Sequence, residues 1–172
     1  MKKLFAVCVL LLAGCVGLPD NITPVKPFDT QRYLGQWYEI ARLDHSFERG
    51  LSNVTAQYSL REDGGLKVIN RGYNAAEKKW KEAEGKAYFV GGNEQGYLKV
   101  SFFGPFYGSY VVFELDQENY QYALVSGPDK SYLWLLARQP QIAPSILKKL
   151  VDKAQALGFD TRQLIYVTHS PN

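Results

Sequence analysis

Between Trp37 and Arg138 the chain passes through eight short β-type segments separated by turn signals, with no helical period among them. Val54, Ala56, Tyr58 and Leu60 alternate with Thr55, Gln57, Ser59 and Arg61, the period of two that marks a strand with one buried face. Glu62-Asp63-Gly64-Gly65 is a hairpin signal, and Leu66–Tyr73 returns with Leu66, Val68, Asn70 and Gly72 on one face. Trp80–Val90, Leu98–Phe102, Ser109–Asp116, Tyr120–Ser126 and Tyr132–Arg138 complete the series after the opening Trp37–Ala41. Strands that follow one another through short turns pair with their neighbours, and an open meander of this kind would leave two exposed edges. Closure removes both. The expected fold is therefore all-β, an eight-stranded antiparallel up-and-down barrel.

A helix follows the strands. Pro144 suits a first helical turn, and Ile146, Leu147, Leu150, Val151, Ala154 and Leu157 form an apolar stripe ended by Gly158. That stripe places the helix against the outside of the barrel, with Lys148, Lys149 and Lys153 on the solvated side. Leu164–Val167 reads as a short final strand. At 172 residues and 46% hydrophobic content the chain suits a single domain with an ample core. A formal charge of +3 is too small to argue for nucleic acid as a partner.

The first residues read as an address rather than as fold. Lys2-Lys3 is a basic start, Leu4–Leu12 is an apolar run too short to span a bilayer, and Leu12-Ala13-Gly14 ends in small residues. Cys15 follows directly, and Leu12-Ala13-Gly14-Cys15 resembles the bacterial lipobox, in which cleavage before the cysteine accompanies its acylation. Residues 1–14 are thus expected to be a lipoprotein signal peptide. Residues 15–28 become a lipidated N-terminus and tether, and 29–172 the barrel domain. Losing Lys2 and Lys3 lowers the charge from +3 to +1, and losing Cys8 leaves Cys15 with no disulfide partner. Pro19, Pro24 and Pro27 favour an extended tether that holds the domain off the lipid surface. Val16 after the cysteine resembles lipoproteins sorted to the outer membrane, which would leave the domain facing the periplasm.

Trp37, just after Gly35 at the head of the first strand, is placed to plug one end of the barrel. Arg138 closes the eighth strand, and a guanidinium laid on an indole gains roughly 0.5–2 kcal/mol. With Gly35-x-Trp37-Tyr38-Glu39-Ile40-Ala41-Arg42, then Asp116-x-x-x-Tyr120-x-Tyr122-Ala123-Leu124-Val125, then Leu135-Leu136-Ala137-Arg138, the chain resembles the lipocalins from about Phe28 to Val167. The resemblance is nearest to the bacterial outer-membrane lipoprotein lipocalins, which are akin to apolipoprotein D. It departs at Ser126-Gly127-Pro128-Asp129, where the family's second motif usually reads Thr-Asp-Tyr. The resemblance implies a carrier of small apolar molecules, with no cofactor. A homodimer is the oligomer it leaves open.

Connectivity sets the two ends apart. Trp37 and Arg138 share the closed end, so the loops Leu43–Asn53, Asn74–Lys79, Gly104–Gly108 and Gly127–Ser131 share the mouth. The first is long for a hairpin and carries Phe47 and Leu51, as a lid would. An inward Arg138 puts Leu136, Trp134 and Tyr132 inside, and an inward Trp37 puts Glu39 and Ala41 inside. Alternation does not settle the sixth and seventh strands, whose two faces are both apolar. Small inward residues at Ala41, Ala56 and Gly72 favour a cavity. Tyr132, Trp134 and Leu136 are the expected wall of a ligand site, with Phe106 and Tyr107 at its mouth.

No Gly-x-Ser-x-Gly elbow, phosphate loop or Cys-x-x-Cys pair is present, so no enzymatic role is expected. His45 and His169 have no ligating partner at metal spacing, so no metal is expected either. Two classes fit the barrel: a lipid-anchored binding protein, or a structural envelope lipoprotein filled by its own side chains. The preferred ligand is a fatty acid such as palmitate or a lysophospholipid, and a haem or bilin is the alternative cargo. Two-chain phospholipids gain almost nothing on leaving a bilayer, whereas a single chain is held there only marginally.

Overall fold

The computed structural model describes residues 16–170, so the leader and Cys15 lie outside the described residues. A short helix, α1 (Thr30–Tyr33), precedes the strands. It follows from a local cap: the Asp29 carboxylate accepts the backbone N–H groups of Gln31 and Arg32 at 2.9 and 3.3 Å. The strands are β1 (Gly35–Arg42), β2 (Leu51–Leu60), β3 (Leu66–Asn74), β4 (Lys79–Phe89), β5 (Tyr97–Phe103), β6 (Phe106–Leu115), β7 (Tyr122–Ser126) and β8 (Leu133–Ala137). Each pairs antiparallel with the next, and β1 pairs with both β8 and β2, which closes the barrel. The helix α2 (Pro144–Ala156) follows, and then β9 (Ile165–Tyr166), whose pairing with Ala41 and Arg42 extends the far end of β1.

Two apolar clusters sit on the two sides of the wall. Inside are Trp37, Tyr58, Val68, Leu98, Val125 and Leu136, among others. Outside, Leu150 and Ala154 of α2 press on Ile40, Ala41, Val111, Leu124, Leu135 and Ala137. Small side chains at Ala41, Ala137 and Ala154 pack in this cluster, and burying Leu150 there contributes about 1.5–3 kcal/mol. Val151 lies at the margin of the stripe, half-buried. The same division settles β6 and β7. Val112, Leu115, Ala123 and Val125 face inward, while Val111, Phe113 and Leu124 lie beneath the helix.

Alternation fails at one place that matters. Between Glu39 and Ala41 the β1–β8 register shifts: Glu39 faces Leu136, yet Ala41 faces Leu135 and Arg42 faces Trp134. This bulge reverses the parity of β1 beyond Glu39. Ala41 therefore lies outside under α2, against the expectation that it points inward, and Arg42 takes the interior position. A second correction concerns the N-terminal segment. It does not stand off from the domain as a tether. Ile22 and Phe28 are buried, Val25 donates its N–H to the Val112 carbonyl at 2.8 Å, and Gly96 donates to the Val25 carbonyl at 2.9 Å.

Candidate ligand cup

The floor of the barrel is sealed from several elements at once. The Arg138 guanidinium lies 4.0 Å from the centre of the Trp37 ring. Its three nitrogens donate to the carbonyls of Gln36 at 2.9 Å, Arg32 at 2.6 Å and Tyr120 at 3.3 Å. Trp37 donates its indole N–H to the Tyr33 carbonyl at 2.8 Å. Gly35 has φ +92°, and a Cβ there would come within 3.4 Å of the guanidinium, so glycine serves both conformation and space. Above the floor, the Tyr33 and Tyr58 hydroxyls each lie 2.7 Å from that of Tyr110. Burial pushes all three phenols above their ordinary value, which keeps them neutral.

Higher in the barrel a buried polar cluster holds the first loop down. Arg42, only 1% exposed, donates to the Glu39 carboxylate at 2.6 Å and to the Glu48 carbonyl at 2.9 Å. Trp134 donates its indole N–H to the Glu48 carboxyl at 2.9 Å. Two carboxyl groups thus share one guanidinium. Burial raises Glu39 above the usual carboxylate range, against the pull of Arg42. Burial, reinforced by the charge of Glu39, pushes Glu48 up to about 8. Near neutral pH Glu48 therefore favours its protonated form beside the Arg42–Glu39 pair. Glu48 belongs to loop 43–50, so its bonds to Arg42 and Trp134 latch the loop onto the wall.

The mouth is open on one side. The β3–β4 ladder runs without a shift from Leu66 opposite Ala87 to Asn74 opposite Lys79, so Lys81 and Ala83 share the inner face with Ala87. Both are exposed, whereas Gly85 and Ala87 below them are buried. The β4–β5 ladder spans Lys86 opposite Ser101 to Phe89 opposite Leu98, and above it the inner face of β4 meets solvent.

The residues expected to form a ligand site divide. Leu136 is buried inside, and Trp134 faces the interior with its N–H committed to Glu48. Tyr132 lies at the mouth, its ring stacked 4.1 Å from that of His45, which also stacks on Phe47 at 5.4 Å. Burial lowers the His45 pKa, favouring the neutral imidazole between these rings. Phe106 is 61% exposed at the tip of the β5–β6 hairpin, opposite Phe103. Tyr107 is not at the mouth. It lies on the outer wall, 5.2 Å from the Lys99 ammonium and 6.3 Å from the Tyr88 ring. The physical reason is alternation along β6: Tyr110 and Val112 point inward, so Val111, Ser109 and Tyr107 share the outer face. Sequence reading missed Arg42, Glu48 and the three tyrosines. Arg42 and Glu48 look like surface charges in an exposed loop, and only the bulge in β1 turns Arg42 inward.

The family described as a lipocalin-like domain matches residues 28–169. The chain is 61% identical over 168 residues to a Vibrio cholerae protein named outer membrane lipoprotein Blc, covering 97% of this chain and 98% of that one. It is 56% identical over 149 residues to the protein of the same name from Escherichia coli strain K12, covering 87% and 84%. Mouse apolipoprotein D is 32% identical over 146 residues, covering 80% and 75%. Among solved structures, the cockroach allergen Per a 4 superposes with TM-score 0.70 at 18% identity, covering 90% of this chain and 96% of that one. Insecticyanin of the tobacco hornworm Manduca sexta gives 0.69 at 20% identity, covering 90% and 87%.

Proposed function

The chain belongs to the lipocalin family, and from that premise we propose that it is a lipid-anchored binding protein of the bacterial outer membrane that stores or carries single-chain lipids. Relatives named as outer membrane lipoproteins, at up to 61% identity, support the membrane location. The reading of Cys15 as the acylated residue rests on Leu12-Ala13-Gly14-Cys15, and the domain is read as facing the periplasm. One observation carries the binding reading. Lys81 and Ala83, on the inner face of β4, are exposed at the mouth, while the floor beneath is closed by Trp37, Tyr33 and Arg138. That stretch of β4 runs past its ladder with β5, which leaves the mouth open on this side.

The lower half of the cup is occupied by Phe28, Tyr33, Tyr58, Phe89 and Tyr110. An acyl chain therefore occupies the upper half, against Trp134 and Leu136, and passes out beside Tyr132 and Phe106. Each methylene taken out of water contributes about 0.8 kcal/mol. A site in reach of a bilayer competes with lipid instead of water, which selects ligands that the bilayer holds weakly. A fatty acid such as palmitate, or a lysophospholipid, meets that condition. The interior groups suit binding more than chemistry: the tyrosine hydroxyls bond one another, and the carboxyls are engaged by Arg42 and Trp134.

Titration with lysophospholipid and with palmitate tests the reading. Both are expected to change Trp134 emission and to displace an apolar dye. Flat emission and no displacement by either, with displacement by haem or a bilin, would overturn it.

A further inference from the structure

We propose that the mouth of the cup lies against the membrane that holds the anchor, because residues 16–28 form a strap that delivers the N-terminus to the open end. The proposal rests on the reading of Cys15 as the acylated residue. Gly17 donates its N–H to the Ser109 hydroxyl at 2.8 Å, and that hydroxyl donates to the Gly17 carbonyl at 2.6 Å. Ser109 lies in the half of β6 that begins at Phe106, on the mouth side. Leu18, Pro19 and Asp20 face Pro128, Asp129 and Lys130 of the β7–β8 loop across a depression of about 330 Å³, and that loop is also at the mouth.

From there the strap descends. Ile22 is buried in the cluster under α2, Val25 bonds between Val112 and Gly96, and Phe28 donates its N–H to the Glu94 carbonyl at 2.9 Å, beside the β4–β5 turn of the closed end. The strap thus ends at the floor and begins at the rim. Val16 follows Cys15 directly, and one residue spans at most about 3.8 Å. The chain thus leaves the described domain toward Cys15 from its mouth-side half, and bilayer contact by a lipid on that residue draws the rim toward the headgroups.

The rim is suited to that contact. Phe103 is 79% exposed, Phe47 65% and Phe106 61%, with Leu18 at 44% beside the strap. Trp80, 47% exposed, stands at the mouth end of β4. At the closed end, among the described residues, Leu60 is the exposed large apolar residue, amid Arg61, Glu62 and Asp63. Aromatic side chains favour the boundary between headgroups and acyl chains, and solvent-facing apolar residues gathered at one end mark a contact surface. The occupant is the lipid bilayer itself. Cargo then moves between leaflet and cup without crossing water, past Phe103 and Phe106.

The test uses the full chain with one added cysteine, since acylation leaves Cys15 no free thiol. Gly104→Cys marks the mouth, where an added side chain meets open space, and Glu62→Cys marks the closed end. Each is labelled with a fluorophore and inserted through its anchor into phosphatidylethanolamine–phosphatidylglycerol vesicles that contain a nitroxide-bearing lipid. Quenching is expected to be several-fold stronger at position 104 than at 62, and weaker at 104 in a Phe103→Ser/Phe106→Ser background. Equal quenching, or stronger quenching at 62, in acylated protein that floats with the vesicles would overturn the orientation alone. A mass showing Cys15 unmodified, with no flotation, would overturn the anchor and the orientation together.

Discussion

Replacing Arg138 with Ala removes a group that joins four pieces of chain at the floor. Its nitrogens reach Arg32 at the end of α1, Gln36 in β1 and Tyr120 in the β6–β7 turn, and its face covers Trp37 from the end of β8. Stacking on the indole is worth roughly 0.5–2 kcal/mol. The side chain is only partly buried, so water replaces much of each lost hydrogen bond, and a net of about 0.5–1 kcal/mol apiece is the appropriate scale. Together with the lost contact of the aliphatic stem, the expected destabilisation is about 2–5 kcal/mol. For a domain of this size that lowers Tm by roughly 6–15 °C. Arg138→Lys keeps the charge but loses the planar fork, and is expected to recover less than half of the loss. Thermal unfolding followed by circular dichroism gives both values. Dye displacement at the mouth should be unchanged in either variant, because the clamp lies at the opposite end. A shift in Tm below about 2 °C for Arg138→Ala would refute the reasoning, since stacking and the lost hydrogen bonds together should exceed it.

Glu48 supplies a pH test. Its folded value of about 8 lies above the unfolded 4.5, so the folded state retains a proton that the unfolded state loses. Stability is then full below about pH 4.5 and declines as pH rises toward 8. Glu48→Gln is expected to flatten that decline and to be the more stable protein at pH 8.5, read by urea unfolding at several pH values; parallel curves would rule out the protonated latch. Gly96→Ala places a Cβ 2.9 Å from side-chain atoms of Val25 and Val112 and 3.0 Å from the Val112 carbonyl. A loss of about 1–3 kcal/mol and faster proteolysis within residues 16–28 are expected, and an unchanged digestion pattern would mean that the strap tolerates the displacement. Cys15→Ala is expected to release a folded domain into the periplasm, and continued co-fractionation with the outer membrane would place the anchor elsewhere.

Some of this architecture was written in local order. Leu66, Val68 and the alternating face of β3 are set by a period of two that the strand carries for itself, as are Ala56 and Tyr58 of β2, whereas Leu60 at the end of β2 is exposed and not buried as its place in the alternation suggests. The α2 stripe is likewise set by the helical period, down to the burial of Leu150 and Ala154. Short turns at Gly64-Gly65 and Gly104-Pro105 dictate neighbour pairing, and closure follows because open edges are unfavourable. What lies at each end of the barrel was equally legible, since strand direction alternates by connectivity.

The contents of the cup were decided elsewhere. A bulge shifts register by pairing with a neighbour, and nothing in Glu39-Ile40-Ala41-Arg42 marks where β8 imposes it. That single shift sends Ala41 beneath α2 and turns Arg42 inward, which in turn draws Glu48 and its loop over the wall. Tyr107 lies outside because β6 alternates with Val112 inward, a parity that the two apolar faces of that strand do not reveal. The prolines of residues 16–28 read as a free tether because extended backbone looks the same whether it is solvated or docked. Distant partners such as Glu94, Gly96, Ser109 and Val112 hold that segment on the barrel. Periodicity fixes what each element buries by itself, whereas bulges, buried charge and docked coil depend on energies shared between segments far apart in the chain, and those exist only once the barrel has closed.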